Sequence, residues 1–101
     1  MVEKMNQIIT LNIRLLSGDR PLKAFADVQI GDWIVREWRV IKENGKRPWV
    51  APPQISWKGR EGQIQYKTVI TLPDELKGEI DFAILSRFNE EMEKVNAERP
   101  E

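Results

Sequence analysis

The sequence predicts an α+β domain: a small twisted, mainly antiparallel β-sheet of about five strands with one C-terminal helix packed on it. Three observations carry this. Alternation of apolar and polar residues recurs in short runs up to residue 70. Turn-forming residues separate those runs. From Leu76 onward the apolar period changes from two to four, the spacing of one helix face.

The first run is IITLNIRLL, with Ile9, Leu11, Ile13 and Leu15 on one side and Thr10, Asn12 and Arg14 on the other. SGDRP is a turn. LKAFADVQI follows, with Leu22, Ala24, Ala26, Val28 and Ile30 directed inward and Lys23, Phe25, Asp27 and Gln29 outward. Gly31-Asp32 is a two-residue hairpin turn. The next strand, DWIVREWRVI, breaks alternation by placing Trp and Arg on both faces. Two readings fit: a β-bulge near Arg36-Glu37 that turns both Val35 and Trp38 inward, or a central strand covered on both faces. KENGKRP turns at Asn44-Gly45. PWVAPP reads as an extended piece at a sheet edge, because proline cannot donate to a ladder. QISWKGREG reads as a polar loop, and QIQYKTVIT as the last strand.

Thr71 is the expected N-cap, with Pro73 in the first turn. Leu76, Ile80, Ile84, Phe88 and Met92 form the helical stripe, flanked by Ala83, Leu85 and Val95. The expected organisation is one domain over 1–101, with the sheet over about 8–71, the helix over about 73–96 and a tail over 97–101.

Composition narrows function. The chain has 101 residues, no Cys and no His, so it offers no imidazole base, thiolate or usual zinc ligand set. It has no phosphate-binding glycine loop, no evident small-molecule site, and no carboxylates arranged as a catalytic pair. A non-enzymatic protein without cofactor or metal is expected. No apolar run approaches the roughly 18 residues of a membrane span, and MVEKMNQ lacks the apolar core of a signal peptide, so the expected location is the cytoplasm.

Net charge is zero but unevenly spread. Residues 1–72 carry 12 Lys and Arg against 7 Asp and Glu, and residues 73–101 carry 4 against 9. Between Arg36 and Lys67 stand 8 basic and 3 acidic residues, interleaved with Trp49, Trp57 and Tyr66. Cations that attract phosphate beside aromatic rings on which bases stack suit nucleic acid. The candidate contacts are Arg36, Arg39, Lys46, Arg47, Trp57, Lys58, Arg60 and Lys67. Trp57, in a glycine-bearing segment, is expected to be the least buried tryptophan. A different class of function, a protein-interaction module, would use the PWVAPP edge or the acidic helix end.

The order of these motifs resembles the stage V sporulation protein G family (SpoVG). NIRLL, LKAFADVQI, WIVREWRVI, KENG and PWVAPP follow one another as the family's first strands, Asn-Gly turn and "FVAMP" segment do, and the resemblance covers roughly residues 8–88. It implies a dimeric bacterial regulator that binds DNA or RNA and takes part in sporulation, septation and cell-division control. The chain departs from the pattern at the family's basic dyad, which would fall at Gln54-Ile55-Ser56; Lys58 and Arg60 are the nearest substitutes.

Overall fold

A computed structural model describes residues 7–98, so the tail expected over 97–101 falls largely outside the described residues. Six strands and one helix follow in order: β1 (Ile8–Leu15), β2 (Leu22–Ile30), β3 (Trp33–Ile41), β4 (Trp49–Ala51), β5 (Gln54–Lys58), β6 (Ile64–Thr68) and α1 (Asp74–Glu98). The first four form an antiparallel meander in the order β1-β2-β3-β4, and β5 and β6 form a separate two-stranded ribbon. The α+β class is as the sequence predicts. Gln54–Lys58, read there as part of a loop, is instead a strand paired residue for residue with β6.

One sheet face is packed against α1. Ala24, Ala26, Val28, Trp38, Val40 and Val50 meet Ile80, Ile84 and Phe88, all nearly or wholly shielded from solvent. The helical stripe thus does what its period requires, up to a point. Met92 and Val95, one and two turns on, stay about one-third exposed at 36% and 37%.

The irregular strand β3 resolves into the bulge reading. Ala26 pairs with Trp38 and Val28 with Val35, so one residue of β2 faces two of β3. Glu37 takes the extra position with a φ of 70°, in the left-handed region that non-glycine residues rarely enter. Its amide donates to Asp27 Oδ1 at 3.3 Å, so the backbone group removed from the ladder keeps a partner. The result is a phase shift: Val35 and Trp38 both reach the core, and Trp38 Nε1 donates to the Val35 carbonyl at 3.2 Å.

β1 departs from the simple alternation. Its register shifts between Thr10 and Asn12, so Ile8, Ile13 and Leu15 pack toward the core while Ile9 is 42% exposed on the other side. The hairpin at Gly31-Asp32 forms as expected, between the paired Ile30 and Trp33. Gly31 has a φ of 60°, which fits the first central position of a II′ turn. The helix begins at Asp74, with the Pro73 carbonyl accepting from the Lys77 amide at 2.9 Å. Pro73 therefore stands at the cap, in place of the expected Thr71.

Two helix cations fasten α1 to the sheet. Lys77 Nζ donates to the Val50 carbonyl at 3.2 Å and pairs with Asp81 at 2.7 Å. Arg87 donates to the Thr10 carbonyl at 3.2 Å and pairs with Glu91 at 3.1 Å. Glu91, also met by Lys94, stands toward the negative end of the helix dipole, where the two cations offset the unfavourable placement of an acid. No helix among the described residues is long and apolar enough to cross a membrane.

Candidate nucleic-acid interface

The ribbon is the unusual part of the molecule. Five residues per strand pair in strict register, and its turn closes through Gly59 N to Gln63 O at 2.7 Å and Gly62 N to Gly59 O at 3.0 Å. It does not join the core: Ile55, Trp57, Ile64, Tyr66 and Val69 are all 45–60% exposed. The radius of gyration, 15.6 Å, exceeds the about 13 Å of a compact domain of this length.

Cross-strand pairs share a face. One ribbon face carries Ile55 beside Lys67 and Trp57 beside Gln65. The other carries Gln54 beside Thr68, Ser56 beside Tyr66 and Lys58 beside Ile64. Trp57 and Lys58, neighbours in sequence, therefore point to opposite sides. Trp57 is exposed but is not the least buried tryptophan: at 45% it is less exposed than Trp49 at 52% or Trp33 at 75%. It lies within a paired strand rather than a loop, while Trp33 follows the hairpin turn and Trp49 opens the edge strand.

The eight candidate residues fall into three groups. Trp57, Lys58, Arg60 and Lys67 lie on the ribbon or its turn. Lys46 and Arg47 precede β4 while the ribbon follows it, so these two groups leave β4 from opposite ends. Arg36 and Arg39 lie on β3. Arg36 is committed to Asp27 at 3.2 Å, and Lys46 to Glu43 at 3.2 Å. Arg39 donates to the Gln54 side chain at 3.1 Å, which links the sheet to the base of the ribbon.

Charge pairing separates the two parts of the fold. The described helix cations Lys77, Arg87 and Lys94 are all ion-paired. Arg39, Arg47, Lys58, Arg60 and Lys67 pair with no carboxylate among the described residues. The sheet, its loops and the ribbon thus keep some cations free of ion pairs alongside the paired Arg36 and Lys46, whereas the three described helix cations are all paired.

The sheet face away from α1 holds residues outside the sequence-derived set. Arg14 pairs with Phe25, Phe25 with Arg39, and Arg39 with Ala51, in one row across four strands. The Arg14 guanidinium lies 5.0 Å from the Phe25 ring centroid. Trp49, paired with Ile41, belongs to the same face. The outward phase of Arg14 and Phe25 is readable in their two strands; the register that makes them neighbours is not. PWVAPP, a candidate docking segment, is largely consumed by the fold: Val50, Ala51 and Pro53 are buried, which leaves the outer edge of β4 and the ring of Trp49.

No family model matches the chain, and no curated protein or solved structure matches it.

Proposed function

We propose that this is a non-enzymatic, cytoplasmic regulatory protein that binds DNA or RNA through its basic ribbon and adjoining sheet surface. One observation carries the reading: a two-stranded antiparallel ribbon projects from the core and bears Lys58, Arg60 and Lys67 free of ion pairs. A two-stranded ribbon is narrow enough to enter a major groove about 12 Å wide. Unpaired cations can release the counterions of phosphates, whereas cations already held by carboxylates gain little. The polar face with Gln54, Ser56, Lys58, Tyr66 and Thr68 supplies hydrogen-bonding groups for base edges or backbone. The resemblance to the sporulation protein family supports the same reading, including a role in septation or sporulation control. The test is fluorescence anisotropy with generic single- and double-stranded oligonucleotides at two salt concentrations. Binding that weakens steeply with salt is expected; no binding at low salt overturns the reading.

The ribbon also supports a homodimer. An isolated two-stranded hairpin is marginal in water, and Ile55 and Trp57 on its less polar face are half exposed. A second copy is present wherever the first is, and two ribbons meeting about a two-fold axis would cover those side chains. Sedimentation at micromolar concentration should give a dimer, and a monomer would remove this part of the proposal.

A further inference from the structure

We propose that the sheet face opposite α1 is a stacking platform for single-stranded nucleic acid, distinct from the ribbon, with Phe25 and Trp49 receiving bases and Arg14 and Arg39 meeting phosphates. The inference rests on the reading of the protein as one that binds nucleic acid and adds a second surface with a different preference.

The layout follows from the register. Phe25 on β2 has Arg14 directly opposite on β1 and Arg39 directly opposite on β3, each about 5 Å away at the backbone. Trp49 lies on β4, beyond Arg39, and two residues along. Strand spacing and rise place it about 12 Å from Phe25 at the backbone. A cation therefore stands between the two rings and another beyond the first, in the alternation of base and phosphate along an unpaired strand. Leu22 and Ile41, paired with each other, continue the row of Trp49 across β3 and β2.

Charge on this face favours a polyanion. Arg14 and Arg39 form no ion pair with a described residue; Arg14 lies over Phe25, and Arg39 is bonded to the neutral amide of Gln54. The neighbouring carboxylate, Asp27, is neutralised by Arg36 at 3.2 Å and also bonded by Asn12 at 3.4 Å and the Glu37 amide. An arginine already stacked on a ring can extend the stack onto a base, since guanidinium and aromatic planes both pack against bases. A duplex cannot use the platform in this way, because the faces of its bases are occupied by their own neighbours.

The test measures anisotropy of labelled 12-nucleotide single-stranded DNA, single-stranded RNA and duplex DNA with the parent chain, Trp49→Ala and Phe25→Leu. Trp49 is half exposed, so its truncation leaves the core intact, and Phe25→Leu keeps an apolar residue on the central strand. Each variant should weaken single-strand binding about 5- to 100-fold and duplex binding less than about 2-fold. Comparison of the DNA and RNA single strands shows which sugar the platform accepts. Equal weakening of single strands and duplex, or unchanged single-strand binding in both folded variants, overturns the platform while leaving binding at the ribbon intact. A parent that binds no oligonucleotide at low salt overturns both readings. A change of sedimentation without a change of binding assigns the face to a second copy and also overturns the platform.

Discussion

Replacing Lys58 and Arg60 together by Ala removes two cations that have no carboxylate partner among the described residues, at the end of β5 and in the turn that follows it. If each meets one phosphate, the slope of log K against log salt should fall by about 1.8 on duplex DNA and about 1.4 on single strands. Between 50 and 200 mM salt, a fourfold change, the parent should therefore lose about 12-fold more affinity than the variant on duplex and about 7-fold more on single strands. The fold should hardly register the change. Both side chains are exposed, so stability should stay within about 0.5 kcal/mol and Tm within about 4 °C. The assay is anisotropy over a salt series, beside a thermal melt of each protein. Arg36→Ala is the informative control, because its guanidinium already serves Asp27 and should contribute less to the slope. A folded double variant with the parental slope refutes the assignment. If, in addition, Arg36→Ala or Arg39→Ala abolishes binding without unfolding the chain, the contacts lie on β3.

Three further outcomes test the frame that holds the site. Ile84→Ala deletes a fully buried side chain from the centre of the core and should cost about 2–5 kcal/mol; an unchanged urea midpoint would show that α1 is not docked. Gly78→Ala should stabilise the protein by about 1 kcal/mol, raising Tm by about 4–8 °C, because a Cβ there meets nothing within 4 Å and Gly is the poorer helix former; a lower Tm would contradict the open surface at that turn. The Arg87 guanidinium, bonded to Glu91, holds that carboxyl below the usual glutamate range. Because the folded value is depressed, the stabilisation is full above the unfolded value of about 4.3 and fades as pH falls through the lower folded value. Carboxyl titration by NMR should find Glu91 low in the parent and higher in Arg87→Met, where Lys94 alone still lowers it; the same value in both would remove Arg87 as the leading cause.

Period and turn chemistry made most of the architecture legible. The switch from two to four marks the helix, and Gly31-Asp32 and Asn44-Gly45 stand where β2 turns to β3 and β3 toward β4. What failed was local. QISWK reads as a loop because its apolar residues, Ile55 and Trp57, find no core; their strand is defined by pairing with β6, which a single segment cannot show. The bulge at Glu37 was one of two readings, and what distinguishes them is a positive φ and a bond to Asp27, 10 residues away in sequence. The candidate site was half legible. Clustering of Lys and Arg pointed to the ribbon, but pairing decides which cations are free: Arg36 and Lys46 look like Arg39 and Arg47 in sequence and are already engaged in space. Arg14 and Phe25 were missed because they lie 11 positions apart and meet through the β1–β2 register.

The ribbon joins the body through Pro52-Pro53 on one side and residues 69–73 on the other, and its own contacts are mostly between its two strands. It can open without dissolving the core, so its population is a variable separate from the stability of the domain. Any ligand that needs the formed ribbon has an apparent dissociation constant raised in proportion as the formed fraction falls. The glycine-bearing tip, Gly59 to Gly62, then acts on affinity from a distance: stiffening the turn would tighten binding, and loosening it would weaken binding, with every contacting side chain left unchanged. Sequence drift at the tip would thus tune occupancy while the surface that touches the ligand stays constant.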